Sequence, residues 1–146
     1  RTTTKTVFTG RVSRLQSKSI ALEHDHDVAI ARNEVRAMAA AIGFRVIDQT
    51  RLVTVASELA RNVVKYGVRG RLIAQPTHEA DGRDGLRLIF EDTGPGIPNI
   101  EQAMRDGFST GRGLGKGLPG SQRLVHEFNI ESEVGHGTRV TVVRWL

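Results

Sequence analysis

The hydrophobic period of this chain changes once, and that change limits what it can fold into. Up to Tyr66 the apolar residues recur at helical spacing. Beyond Gly67 they sit in short alternating runs separated by glycine and proline. Val28, Ala31, Val35, Met38, Ala39 and Ile42 fall on one face of a helix predicted over 27–42, with Asp27 as N-cap and Gly43 as stop. Leu52, Val55, Ala56, Leu59, Val63 and Tyr66 form the stripe of a second helix, predicted over 48–66. Strands are predicted over 71–75 and 86–92, joined by a long polar loop, and over 130–134 and 138–145, joined across Gly135-His136-Gly137. Residues 19–23 suit a short edge strand. Further helices are expected near 99–106 and over 118–128, where Pro119 is tolerated in the first turn. This order predicts an α+β domain, with helices packed on one face of a mostly antiparallel sheet.

The 146 residues fit one domain. No run of 18 apolar residues occurs, which excludes a spanning helix of ordinary composition. Cysteine is absent, which excludes disulfides and thiolate metal sites and suits a cytoplasmic protein. The net charge of +5 belongs to residues 1–18, where Arg1, Lys5, Arg11, Arg14 and Lys18 meet no acid. The remaining bases and acids cancel, so a basic tail (1–18) precedes a formally neutral domain (19–146). The charge is therefore a poor argument for nucleic-acid binding, and neither nucleic acid nor membrane is expected as a partner.

Three features can carry chemistry. Alternation puts Leu86, Leu88, Phe90 and Asp92 on the apolar strand face that meets the helices. A carboxylate there is costly without hydrogen-bond donors. The amino group of a bound purine is one such donor; the alternative is a strand end that merely opens a turn. Asp92 begins Asp92-Thr93-Gly94-Pro95-Gly96-Ile97, whose glycines permit positive φ and close approach of backbone to a ligand. A second cluster, 111–120, alternates glycine with Arg112, Leu114, Lys116 and Leu118 ahead of a helix. Its N–H groups and the helix N-terminus suit phosphate, and Arg112 and Lys116 add charge; the alternative is a plain glycine-rich loop. The spacing matches neither a Walker A loop nor a Rossmann fingerprint. Finally, Glu58 and Asn62 lie one turn apart on the polar face of the second helix. A carboxylate can accept the proton of an attacking hydroxyl, and an amide oxygen can ligate Mg²⁺. An isolated pair of this kind is ordinarily a solvated helix face.

The combination is more specific than its parts. Glu58-Leu59-Ala60-Arg61-Asn62-Val63-Val64-Lys65-Tyr66, then Asp92-Thr93-Gly94-Pro95-Gly96, then Gly113-Leu114-Gly115-Lys116-Gly117-Leu118, then Gly135-His136-Gly137-Thr138 resemble the N, G1, G2 and C-terminal boxes of the GHKL ATPases, in that order. The resemblance covers roughly residues 20–145. Asp106-Gly107-Phe108-Ser109-Thr110, Gly117-Leu118-Pro119-Gly120, Arg123-Leu124 and Ile130-Glu131-Ser132 narrow it to the RsbT-type switch kinases of the stressosome. It implies the Bergerat fold, a two-layer α/β sandwich of a mixed, mostly antiparallel sheet with helices on one face. It also implies an ATP-dependent serine/threonine kinase that acts on a STAS-domain partner and, once freed, activates a downstream phosphatase by binding it. Carried over, Glu58 is the catalytic base and Asn62 the Mg²⁺ ligand. Asp92 accepts from the adenine amino group, Gly94 and Gly96 shape that pocket, and Thr138 helps hold the adenine edge. Gly113, Gly115 and Gly117 line the phosphates on a lid that also includes Leu114 and Leu118. Lys116 joins this set by its charge rather than by the resemblance.

Other signals are weaker. His24-Asp25-His26 offers too few ligands for zinc and suits a solvated loop. No histidine lies in a dimerising helix-pair segment, which argues against autophosphorylation on histidine. The alternatives are a nucleotide-gated binding switch with little or no catalysis, the ATP-binding part of a histidine kinase, and a DNA-binding module resting on the tail alone.

Overall fold

The computed structural model describes residues 15–105 and 117–146. Strand β1 (Lys18–Leu22) leads into helices α1 (Asp25–Ile42) and α2 (Val46–Tyr66). A hairpin of β2 (Gly70–His78) and β3 (Asp84–Asp92) follows, then the short helices α3 (Ile100–Ala103) and α4 (Gly117–Arg123). The hairpin of β4 (Glu127–Glu133) and β5 (Gly137–Trp145) completes the domain. The strands form one five-stranded sheet in the order β1-β2-β3-β5-β4. Every pairing among the described residues is antiparallel, so the parallel pair of a mixed sheet does not occur there.

Strand alternation and helical stripes meet as the sequence predicts, except that Tyr66, the last residue of the second stripe, is half exposed. Leu72, Ala74, Leu86, Leu88, Phe90, Val140 and Val142 are buried on one sheet face, in one cluster with Val35, Ile42, Leu52, Val55, Leu59 and Val63 of the two long helices. Each fully buried Leu or Phe contributes about 1.5–3 kcal/mol, so this contact between layers holds the domain together. No helix among the described residues is long and apolar enough to cross a membrane.

Several boundaries differ from expectation for local reasons. Helix α1 begins at Asp25 with His24 as its N-cap, and Asp27 is the third helical residue. Its Oδ2 accepts from the Glu23 and His24 N–H groups at 2.9 and 2.8 Å, which holds this buried carboxyl below its usual range. Gly43 (φ 115°) ends the helix as predicted, donating to the Ala39 and Ala40 carbonyls. Helix α2 starts two residues ahead of Asp48. The first hairpin is longer than predicted and its loop shorter. Pairing continues to His78 opposite Asp84, whose side chains meet at 2.7 Å, and Arg83 grips Glu79 at 2.8 Å. Polar residues on both strands erased the alternation there. Helix α4 ends at Arg123 rather than near Phe128. Phe128 and Ile130 instead pair with Val142 and Val140 in β4 and pack against the core. Lys18, counted with the tail, opens β1 and pairs with Glu34 at 3.0 Å.

Candidate functional site

A cavity of about 370 Å³ opens between the C-terminal half of α2 and the sheet. Helix α2 supplies Leu59, Asn62, Val63 and Tyr66, and β3 supplies Phe90 and Asp92. The loop after β3 adds residues 95–98, α3 adds Ala103, α4 adds Leu118, and β5 adds Thr138 and Val140. The lining is mainly apolar, with the side chains of Asn62, Asp92 and Thr138 and the phenol of Tyr66 as its polar groups. Such a slot, with a few convergent polar groups, suits a flat apolar ligand that has polar edges.

Asp92 ends β3 opposite Thr138 of β5, so strand register places this acid and hydroxyl side by side. One carboxylate oxygen, Oδ1, accepts from the Gly94 N–H at 2.8 Å. Among the described residues the carboxylate has no other hydrogen bond. Burial pushes its carboxyl above the usual range, and the Gly94 bond only partly opposes this. Room for the side chain comes from two glycines. A Cβ on Gly67 would stand 2.7 Å from Asp92 Cβ and Cγ, and one on Gly94 would stand 2.9 Å from Asp92 Oδ1. The sequence marked Gly67 only as a helix stop. Its φ of −91° shows that close approach to Asp92, not a left-handed backbone, demands glycine there.

Asn62 Oδ1 is buried and has no hydrogen-bond partner among the described residues. An unmet buried acceptor costs about 1–3 kcal/mol, and a cation ligated at the cavity would satisfy it. Amide oxygen is suitable for Mg²⁺, so this residue fits the metal. Asn62, Asp92, Gly96, Leu118 and Thr138 thus share one cavity, and Gly94 supports it from behind. Glu58 does not line it. That side chain lies one turn back along α2, is 32% exposed and pairs with Arg61 at 3.2 Å. Gly117 is the first residue of α4. Arg112, Gly113, Leu114, Gly115 and Lys116 lie outside the described residues.

The family described as histidine kinase-, DNA gyrase B- and HSP90-like ATPase matches residues 47–145. The chain belongs to this ATPase family. Among its relatives, the serine/threonine-protein kinase RsbT of Bacillus subtilis (strain 168) is 45% identical over 120 residues, covering 82% of this chain and 90% of that protein. The anti-sigma F factor of Geobacillus stearothermophilus is 31% identical over 116 residues, covering 77% and 80% of the two chains. Two solved structures share the ATPase fold. Full-length ShkA in complex with AMPPNP superposes with a TM-score of 0.54 at 18% identity, over 85% of this chain but only 30% of ShkA. The mycobacterial sensor histidine kinase MprB gives 0.53 at 17% identity, over 89% and 97% of the two chains. Both ATPase-family motif segments that meet at the cavity, around Asn62 and Asp92, fall within the matched region.

Proposed function

We infer that this protein is an ATP-dependent serine/threonine protein kinase of partner switching, and that the α2–sheet cavity holds its nucleotide. The observation that carries the reading is that one apolar slot holds the Asn62 amide oxygen, buried without a partner among the described residues, and the Asp92 carboxylate, whose one hydrogen bond there comes from Gly94. The Asp92 carboxylate waits for the adenine amino group, and the Asn62 oxygen for the metal that accompanies the phosphates. The 45% likeness to RsbT supports phosphotransfer to protein hydroxyls.

In this scheme Asp92, Gly94, Gly96 and Thr138 bind and orient the base, while Phe90, Val140 and Ile97 exclude water from its faces. Asn62 would hold Mg²⁺, which when bound would supply charge neutralisation at the phosphate oxygens. Gly113, Leu114, Gly115, Lys116, Gly117 and Leu118 are assigned to the phosphates on the strength of the family motif. The partner's Ser or Thr oxygen attacks the γ-phosphorus, the bond from that phosphorus to the bridging oxygen breaks, and ADP leaves. Glu58 takes the hydroxyl proton. Its place outside the cavity suits this role, because the acceptor arrives on a second macromolecule at the surface of α2. Arg61 fixes the carboxylate by pairing with it. The protein substrate is a STAS-domain regulator, and the kinase released from it activates a downstream phosphatase by binding. The setting is cytoplasmic, and the kinase domain includes Lys18, the first residue of β1, with the other basic residues of the 1–18 stretch ahead of it.

The ion-paired state of Glu58, outside the cavity, also favours a second reading, a nucleotide-gated binding switch in which catalysis is residual. Glu58→Gln separates the two. We expect nucleotide affinity to be retained and phosphotransfer to fall at least about 100-fold. Full phosphotransfer in this variant would remove Glu58 as the base, and its absence in the wild type as well would favour the switch.

A further inference from the structure

We propose that Ser132 is a positioning residue for the purine end of the site, clasping the 94–98 loop onto the last hairpin and presenting the Thr138 hydroxyl to the base. The inference rests on reading the cavity as a nucleotide site. Asp92, Thr138 and Ser132 occupy one cross-strand row through β3, β5 and β4. Ser132 is half-buried, and its Oγ makes three contacts. It accepts from the Ile97 N–H at 2.7 Å, meets Thr138 Oγ1 at 2.8 Å, and lies 3.1 Å from the Gly137 carbonyl oxygen. Both Ile97 and Thr138 line the cavity. A second tie joins the same two segments, because the Gly135 N–H donates to the Pro95 carbonyl at 2.9 Å. This approach requires glycine at 96. Its φ is 78°, and a Cβ there would stand 2.5 Å from the Glu133 carbonyl oxygen and 3.2 Å from Ser132 Oγ.

Counting protons shows what the hydroxyl does for Thr138. Serine has one proton and two lone pairs, and the Ile97 N–H occupies one lone pair. If the proton goes to the Gly137 carbonyl, Thr138 donates to Ser132 and meets a ligand as an acceptor. If it goes to Thr138, the threonine proton is free for the ligand. A ring nitrogen that accepts, as in adenine, selects the second arrangement. Ser132 therefore lets Thr138 offer a donor without moving a heavy atom, while the same oxygen fixes the loop that walls the base. Alanine at 132 would remove the acceptor of Ile97 and the fixed neighbour of Thr138 together.

The test is calorimetric titration of the full chain with Mg²⁺ and a non-hydrolysable ATP analogue, alongside hydrogen exchange of the Ile97 amide. Ser132→Ala is expected to weaken nucleotide binding about 10-fold and to speed exchange at Ile97. Ser132→Thr, which keeps the hydroxyl, is expected to restore both. A merely space-filling role would not give rescue by threonine. Unchanged affinity in Ser132→Ala, or no rescue by Ser132→Thr, would overturn the inference. A folded wild type that binds no nucleotide would instead sink the proposed function and with it the presentation of Thr138, leaving Ile97 exchange to decide the clasp. Should Ser132→Ala fail to fold, Ser132→Cys, similar in size but a weak hydrogen-bonder, replaces it with the same expected losses.

Discussion

Asp92 is half-buried at the end of β3, and burial pushes its carboxyl up while the Gly94 N–H pulls it down less strongly. A carboxyl whose folded value is raised contributes stability below its unfolded value and loses that contribution as pH rises through the folded value. At neutral pH the charged Asp92 therefore costs the empty protein stability. Asp92→Asn is expected to melt at the same temperature as the wild type or higher. Its nucleotide affinity should fall by about 10- to 100-fold, the worth of a hydrogen bond to a charged acceptor. Thermal melts and calorimetry on the two proteins check both halves. Wild-type affinity should also fall as acid protonates Asp92, and the asparagine variant should lack that dependence. The sequence points to this residue, since Asp92 shares a strand face with Leu86, Leu88 and Phe90. It gave no notice of Gly67, because nothing local says that a side chain from β3 will stand beside the end of α2.

Among the elements, α2, α4 and β5 are joined by a polar clamp at the end of α2 away from the cavity. Arg144 donates to Asp48 Oδ1 and to the Leu124 carbonyl, each at 2.8 Å, and Arg51 reaches Asp48 at 2.7 Å. The Asp48 and Arg144 side chains are only 15% and 16% exposed, and Arg144 Nε has no partner among the described residues. Burial pushes the Asp48 carboxyl up, but hydrogen bonds from Arg51 and Arg144 outweigh it and hold it below its usual range. That contribution to stability is present above the unfolded value and lost as pH falls through the folded one. Removing Asp48 leaves the part-buried Arg144 guanidinium short of an acceptor, so Asp48→Ala should cost about 1–3 kcal/mol. Urea unfolding at neutral pH measures it, and the loss should shrink in acid. The clamp also explains why α4 ends at Arg123. The apolar residues 124, 125 and 128 continue a helical pattern, yet α4 stops where Arg144 takes the Leu124 carbonyl and the chain turns into β4.

For the whole molecule, a ligand that binds only the folded state raises stability by mass action, about 2.7 kcal/mol at a hundred times its Kd. For a domain of this size that is roughly 5–10 °C in Tm. Mg²⁺ with ATP should give such a shift in the wild type and little in Asp92→Asn, as read by differential scanning fluorimetry. The α+β class and the two long helices were legible because period 3.6 and period 2 are written locally in the apolar residues. The motif residues were legible because phosphate and purine sites need glycine, carboxylate and amide at fixed spacings. By itself the sequence thus determined the fold class, the family resemblance and the candidate residues. Tertiary structure alone decided that Asn62, Asp92 and Thr138 face one cavity while Glu58 stays outside it, and that Ser132 Oγ accepts from the Ile97 N–H of the loop after β3. Those facts depend on strand register and on the seating of α2 over the sheet, which are set by packing between residues far apart in the chain.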